Sequence, residues 1–236
     1  TQVASLQTGD SANGLAGADV LNASFNAAAT VVPTSIADVE TLNITNFATG
    51  TAVLSATNIS GVDTINSVSS ANDLSITGLQ ELVDGGFTSF NNTSVDLMFT
   101  FARTDITSGP ADVITATLTD AVVGTFAVTT NAPNGFETLG LISNGAEPNR
   151  LTAVTQITGT TMHTATFDGA QALQCDVLPR TILTYDASGM TGGLQLGTGT
   201  DVTTYAEFAN PSLNIISITG GSGDDVIIFE DTLATT

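Results

Sequence analysis

Apolar and polar residues alternate in short clusters along the first third of the chain, with turn-forming residues between the clusters. The clusters lie at residues 39–44, 51–54, 62–65 and 74–76. Their central apolar residues step by 11, 12 and 11 positions, from Leu42 through Val53 and Ile65 to Ile76. Because successive side chains of a strand point to opposite faces, this alternation predicts half-buried β-strands.

A short phrase recurs in these clusters. Val-Glu-Thr-Leu at residues 39–42 returns as Val-Asp-Thr-Ile at 62–65, an offset of 62 − 39 = 23. Looser copies stand at residues 79–82 and 136–139. Two strands in a repeat of this length predict a parallel β-solenoid, in which each turn stacks on the previous one. The alternative is a β-sandwich, whose strands follow one another every 8 to 12 residues or so, at about the same spacing.

The pattern changes along the chain and suggests three portions. Residues 1–85 are predicted to form an N-terminal β-solenoid portion. Residues 86–170 are less regular and are predicted to be an irregular β portion with sandwich-like excursions. Residues 171–236 are predicted to be a C-terminal β portion with a glycine-rich motif near its end. The predicted fold class is therefore all-β.

The chain is strongly acidic. It has 23 Asp and Glu residues against three Arg and no Lys, and its formal net charge is −20. Nucleic acid and anionic membranes are not expected as partners, because binding to either needs a basic surface. The sequence also lacks the run of about 20 apolar residues that membrane insertion as a helix requires. The acidic residues either keep the protein soluble by repulsion or face bound divalent cations.

A glycine-rich motif at residues 220–228 favours the interpretation that acidic residues bind divalent cations. It reads Gly-Gly-Ser-Gly-Asp-Asp-Val-Ile-Ile and fits the nonapeptide G-G-x-G-x-D-x-U-x, where U is a large apolar residue. The glycines allow a tight turn whose carbonyl groups can face an ion, and the sixth residue, Asp225, adds a carboxylate. Flexible oxygen ligands suit Ca²⁺ better than Mg²⁺. The simpler interpretation is a glycine-rich hairpin turn.

Two degenerate copies strengthen the calcium hypothesis. Residues 14–21 keep positions one, four, six and eight of the nonapeptide, and residues 196–201 keep positions two, four and six. We therefore predict Ca²⁺ as the cofactor, in a calcium-stabilised β-solenoid. The predicted carboxylate ligands are Asp10, Asp19, Asp201, Asp224 and Asp225. The predicted turn-forming glycines are Gly14, Gly17, Gly199, Gly220, Gly221 and Gly223.

The sequence offers little for catalysis. Its single cysteine, Cys175, and single histidine, His163, could form a nucleophilic pair, but a buried cysteine is the simpler interpretation. The motifs G-x-S-x-G, the P-loop and H-E-x-x-H are absent. We predict that the protein is not an enzyme. One cysteine cannot form an intrachain disulfide, so bound calcium is the expected source of rigidity.

Several phrases, in their order along the chain, resemble a known family. Residues 6–10 leading into 14–21 resemble the opening of the lattice-forming region of RTX-type bacterial surface-layer proteins of the Caulobacter kind. Residues 39–44, 185–194 and 218–225 resemble further segments of that family. The resemblance implies export by type I secretion, folding on contact with external calcium, and crystallisation into a sheet over the cell. It also implies copies of the same chain as partners, and cell-surface polysaccharide bound through a region outside this chain.

The predicted function is therefore structural. We expect an extracellular subunit of a calcium-dependent two-dimensional surface-layer lattice on a bacterial cell. One alternative is a calcium-binding stalk or adhesin segment of a large RTX surface protein. Another is the non-catalytic RTX domain of a secreted enzyme. A lattice subunit should self-associate in two dimensions, whereas a stalk should remain monomeric.

Overall fold

Parallel strands make up the whole secondary structure of the described chain. The computed structural model describes residues 5–103, 109, 111–130, 135–157, 161–197 and 217–227. Every strand pairing within these ranges is parallel, and none of these residues lies in a helix. Parallel pairing needs a crossover between neighbouring strands, and here the crossovers are the other sides of a coil. The strands therefore stack as a β-solenoid, as the repeated phrase predicts.

The solenoid has two long sheets and a short third one. In the described chain, sheet 1 stacks nine strands: β2 (Val20–Phe25), β5 (Thr41–Asn46), β8 (Thr64–Val68), β10 (Asp84–Asn92), β12 (Val113–Thr129), β13 (Thr138–Asn144), β15 (Thr164–Gly169), β17 (Thr184–Met190) and β19 (Ser217–Thr219). Sheet 2 stacks β3 (Thr30–Val31), β6 (Ala52–Ser55), β9 (Leu74–Leu79), β11 (Leu97–Phe101), the second half of β12, β14 (Asn149–Gln156), β16 (Leu173–Val177), β18 (Leu194–Leu196) and β20 (Val226–Ile227). Sheet 3 contains β1 (Ser11–Asn13), β4 (Ser35–Ala37) and β7 (Ile59–Ser60).

We call one sheet 1 strand and the sheet 2 strand that follows it a rung. The register between rungs reproduces the sequence repeat, since Thr41 lies opposite Thr64 and Leu42 opposite Ile65. The predicted pair of strands per repeat is therefore confirmed, and the sandwich alternative is wrong for the described strands. One assignment fails: β6 buries Ala52 and Leu54, while Val53 is only partly buried. Residues 86–170 continue the same parallel ladders with longer spacing, such as 31 positions between Gly86 and Thr117.

The corner after sheet 1 is formed by residues in the left-handed region. Ser69, Ser89, Asp120 and Gly145 have φ values of 47°, 60°, 51° and 101°. Each directly follows one of the residues Val68, Thr88, Thr119 and Asn144, which lie in register on four successive rungs. A left-handed residue bends the chain sharply, at a cost when the residue is not glycine. This stack of corners turns the chain from sheet 1 into sheet 2 at the same place on each of these rungs.

The hydrophobic core fills the space between the sheets. Strand β5 alternates strictly between partly buried and buried residues, with Leu42 and Ile44 facing inward. In the middle rungs phenylalanines stack edge to face, with ring centroids 5.5 Å apart for Phe99–Phe126 and 5.1 Å apart for Phe101–Phe136. Burying each large apolar side chain contributes about 1.5–3 kcal/mol to stability. The core is thus a continuous column that each rung extends.

Outward-facing side chains also stack in register. Asn66 Nδ2 donates to Asn43 Oδ1 and Asn43 Nδ2 donates to Asn22 Oδ1, both at 2.9 Å. These bonds form an amide ladder across the first three rungs of sheet 1. In the described residues no helix is long and apolar enough to cross a membrane.

The register makes a direct prediction about cross-linking. The variant with Asn43→Cys and Asn66→Cys should form a disulfide readily, because register neighbours lie about 4.8 Å apart across parallel strands, within disulfide range. Non-reducing electrophoresis of the oxidised protein measures it. The control pairs Asn43→Cys with Ser75→Cys, which lies in sheet 2. Equal cross-linking of both pairs would contradict the register.

Candidate calcium-binding turns

The first candidate site is the turn that joins β1 to β2. Gly14 lies against the next rung: a Cβ added there would overlap the carbonyl oxygen of Asp38 and lie 2.8 Å from Asp19 Oδ2. Gly17 has φ 148° and would place a Cβ 3.5 Å from the same Asp19 oxygen. The two glycines are therefore required where the backbone wraps the carboxylate. The structure brings together Gly14, Gly17 and Asp19, three residues that the degenerate nonapeptide identifies.

Asp19 holds a buried oxygen without a partner. Asp19 Oδ2 is buried, and the described residues provide no hydrogen bond to it. Its backbone N–H is bonded to Glu40 Oε2 at 2.7 Å. An unpaired buried acceptor costs about 1–3 kcal/mol, and more when it is charged. A bound cation would remove this cost by coordinating the oxygen directly.

The next rung supplies further oxygens at this turn. Asp38, whose φ is 52°, places its carbonyl oxygen against Gly14. A Cβ on Gly61, one rung further on, would lie 3.3 Å from Asp38 Cα. Carbonyl oxygens and one or two carboxylates form the type of oxygen cage that calcium takes. Gly14, Asp19 and Asp38 would hold such an ion here.

The second candidate site is the turn that joins β19 to β20. Asp225 Oδ2 accepts a hydrogen bond from the Gly221 N–H at 2.8 Å, and Oδ1 accepts one from the Leu194 N–H at 3.0 Å. A Cβ on Gly220 would lie 2.8 Å from Asp225 Oδ2, just as a Cβ on Gly14 would lie 2.8 Å from Asp19 Oδ2. The flanking strands pair with β17 and β18 and not with each other, so the turn is not a hairpin.

The two turns differ in one hydrogen bond. In the second turn the N–H at position two of the nonapeptide, Gly221, satisfies the aspartate. In the first turn the residue at that position is Leu15, and its N–H donates instead to Asn13 Oδ1 at 2.8 Å. This explains why the Asp19 oxygen has no partner. The apolar residues at position eight, Leu21 and Ile227, are partly buried and pack against the core in both turns.

Glycines also permit close backbone contacts around the second turn. A Cβ on Gly221 would lie 2.5 Å from the Met190 carbonyl oxygen and 2.9 Å from that of Ala187. A Cβ on Gly223 would lie 2.6 Å from the carbonyl oxygen of Gly192. These carbonyl groups belong to the preceding rung and pack directly against the turn.

The other predicted ligands lie elsewhere. Asp10 Oδ2 accepts the Gln7 N–H at 2.8 Å, so this carboxylate closes a local turn. Asp224 is exposed beside Gly193. Gly199 and Asp201 lie outside the described residues. Because the two complete turns stand on the first and last rungs of the described chain, each would bind its own ion.

Carboxylates alone do not complete either turn. Within the described ranges no three His, Cys, Asp or Glu side chains are grouped so that they could hold a metal ion together. An ion at either turn would therefore depend on backbone carbonyl oxygens for most of its ligands. Calcium accepts such ligands and tolerates irregular geometry.

Sequence reasoning missed the role of the acidic residue in the repeated phrase. Glu40, Glu81 and Glu137 accept hydrogen bonds from the N–H groups of Asp19, Val62 and Asp112, at 2.7, 3.0 and 2.8 Å. Each bond joins one rung to the previous one at the corner before sheet 1. The recurrence of an acid in the phrase was the available signal. These carboxylates brace the corners and stack negative charge along one edge of the solenoid.

Two partly buried aspartates in the middle rungs, Asp84 and Asp96, show what it costs to bury a carboxylate near another one. Burial raises the pKa of Asp84, hydrogen bonds from Thr115 lower it, and the charge of Asp63 raises it. Burial likewise raises the pKa of Asp96; hydrogen bonds from Thr125 oppose this, and the charge of Asp73 adds to it. Both carboxylates therefore ionise less readily than free aspartate.

Cys175 is fully buried in the core, and burial raises the pKa of its thiol. Such a thiol is a poor nucleophile at neutral pH. His163, in contrast to the buried Cys175, is exposed just before β15.

In comparisons with known proteins, no family model, no curated protein and no solved structure matches the chain.

The raised pKa of Asp84 predicts a stabilising substitution. A carboxyl with a higher pKa in the folded than in the unfolded chain destabilises the fold when ionised. Asp84→Asn should therefore stabilise the calcium-loaded protein at pH 7, and the gain should disappear as the pH falls toward 4. The amide oxygen of the introduced asparagine can still accept the Thr115 N–H, which is bonded to the Asp84 carboxylate at 2.8 Å. Urea unfolding in CaCl₂ at both pH values measures the effect.

Asp120→Asn is the matched control, because hydrogen bonds from Glu147 and Ala146 lower the pKa of Asp120. This substitution should destabilise the protein at pH 7, and the loss should shrink as the pH falls below 4. Destabilisation of the protein at pH 7 by Asp84→Asn would show that ionising the partly buried Asp84 carboxylate does not destabilise the fold.

Proposed function

We propose that this chain is the structural subunit of a calcium-dependent two-dimensional surface-layer lattice on a bacterial cell. In this proposal it is exported by type I secretion, folds outside the cell on binding calcium, and packs against copies of itself. The observation that carries the calcium part is the buried, unpaired Asp19 oxygen inside a glycine turn of a parallel β-solenoid. The turn at Gly220 and Asp225 repeats the glycines around an aspartate, although there the carboxylate accepts the Gly221 N–H.

Charge supports a folding switch. The solenoid stacks acidic residues on neighbouring rungs in a chain with a formal net charge of −20. Without cations, this repulsion opposes the compact state. Ions that bind only the folded chain stabilise it by mass action. Extracellular calcium modules bind with dissociation constants of about 10⁻⁴ to 10⁻³ M, so they fill outside the cell and stay empty in the cytosol.

The outward faces support packing between copies. The amide ladder of Asn22, Asn43 and Asn66 presents an uncharged, regular surface on sheet 1. Apolar residues that are partly exposed, including Phe47 and Ile157, are scattered around the solenoid and could contribute to lateral contacts. Such faces suit many modest contacts in a sheet better than one strong dimer interface.

The alternatives keep the calcium turns but differ in assembly. A stalk or adhesin segment of a large RTX surface protein would use the same solenoid as a rigid spacer and would stay monomeric. The non-catalytic RTX domain of a secreted enzyme would be joined to a catalytic domain elsewhere in its chain. Lattice formation separates the surface-layer proposal from both.

The test combines folding and assembly. Purified chain is titrated with CaCl₂ and followed by circular dichroism, and samples with calcium or chelator are imaged by negative-stain microscopy. We expect calcium to convert a loose chain into β-structure that forms ordered sheets. Magnesium at the same concentration is the control and should be much less effective. Calcium-dependent folding without ordered sheets would favour the stalk. A chain that is folded equally well in chelator would contradict the calcium switch.

A further inference from the structure

A shallow trough of about 400 Å³ runs along the outer face of sheet 2, over its last five rungs in the described chain. Its floor is a register column of outward-facing residues, Val122, Arg150, Gln174, Gln195 and Val226. Pro148, Ala172, Gly193 and Asp224 form one wall, at the corner that precedes sheet 2. The trough therefore follows the solenoid axis and presents one floor residue per rung, every 4.8 Å or so, about the strand spacing.

The polar groups on the floor are held in place. The guanidinium of Arg150 donates to Asp176 Oδ2, with Nε at 3.1 Å, and Gln174 Nε2 donates to Asp176 Oδ1 at 2.7 Å. Asp176, two residues after Gln174 on β16, is only 3 % exposed and fixes both side chains. Gln195 Nε2 donates to the Gly197 carbonyl oxygen at 3.4 Å. Each glutamine keeps a second amide donor and its amide oxygen for a ligand.

The charge of the trough selects an uncharged ligand. Asp176 neutralises Arg150, one of three cationic side chains in a chain with a formal net charge of −20. A polyanion would be repelled by the whole protein. A polycation would be drawn to the acidic corners before it reached this face, where Asp224 is the only acid among the described lining residues. What remains is a neutral, hydrogen-bonding polymer.

The shape of the trough favours a sugar chain over a peptide. Peptides commonly bind a free sheet edge through main-chain hydrogen bonds, or an apolar groove through side chains. Here the floor is a sheet face whose backbone groups are already paired between rungs, so it offers planar amide and guanidinium groups instead. Such groups bond pairs of neighbouring hydroxyls, and a repeat of one rung is on the scale of one sugar ring.

We propose that the sheet 2 trough binds an uncharged linear glycan along the solenoid axis, with Arg150, Gln174 and Gln195 as the recognition row. This inference does not depend on lattice formation. One end of the trough, at Asp224 and Val226, belongs to the second glycine turn, so binding is tested with calcium present. Weak binding is expected, because the trough is shallow and has no aromatic side chain among its described lining residues. Many copies side by side on a cell would compensate through avidity.

The test uses the full chain, ¹⁵N-labelled and in CaCl₂, titrated with cellopentaose or xylohexaose in two-dimensional NMR. The side-chain amide signals of Gln174 and Gln195 should shift. Gln174→Thr and Gln195→Thr keep strand-forming residues and should each raise the dissociation constant about tenfold. The control Thr155→Ala changes an exposed position of β14 outside the trough and should leave binding unchanged.

The same titration with a blocked, uncharged Ser/Thr peptide tests the competing occupant. Tighter binding of the peptide at the same signals would overturn the glycan assignment. The glycan assignment would also be overturned if neither oligosaccharide caused shifts at about 10 mM, a concentration above the roughly millimolar dissociation constant expected. If both glutamine variants bind the sugars as tightly as the native protein, the sugars bind elsewhere and the assignment of the recognition row is wrong.

Discussion

In-register parallel stacking is the constraint on which the rest of this structure depends. Each residue of a rung lies about 4.8 Å from its equivalents above and below, so whatever one rung places at a position is repeated or opposed by the next. For Leu42 and Ile65 the repetition builds core, and for Asn43 and Asn66 it builds an amide ladder. For acidic residues the same geometry brings like charges together: burial raises the pKa of Asp84, and the charge of Asp63 adds to that rise.

The corners show how the chain manages this constraint. Left-handed residues at the end of sheet 1 let each rung turn at the same place, and glutamates before sheet 1 tie successive rungs together through backbone N–H groups. The acidic side chains thus join the rungs, but their negative charges also repel one another. A divalent cation bound at a corner would leave the hydrogen bonds between rungs in place and reduce this repulsion. This gives a physical reason for combining a solenoid, a large negative charge and glycine turns in one chain.

Much of the fold could be predicted from the sequence, because a solenoid repeats short-range patterns. The offset of 23 residues between the two phrases is the observed register, and both glycine turns form around their aspartates. The sequence alone could not predict that β6 would bury Ala52 and Leu54, because the alignment of β6 with Leu74 and Ile76 decides it. Nor could it predict that Asp38 would meet Gly14 or that Leu15 would give its N–H to Asn13. These contacts depend on how neighbouring turns approach each other.

The central claim is that the glycine turns bind calcium, and the most direct test counts ions. Equilibrium dialysis with radioactive calcium gives the number bound per chain for the native protein, for Asp19→Asn and for Asp225→Asn. We predict that each substitution removes one ion, while Glu147→Gln, which changes an exposed acid away from both turns, removes none. Absence of bound calcium in the native protein at millimolar concentrations would contradict the account, and so would an unchanged count in both aspartate variants.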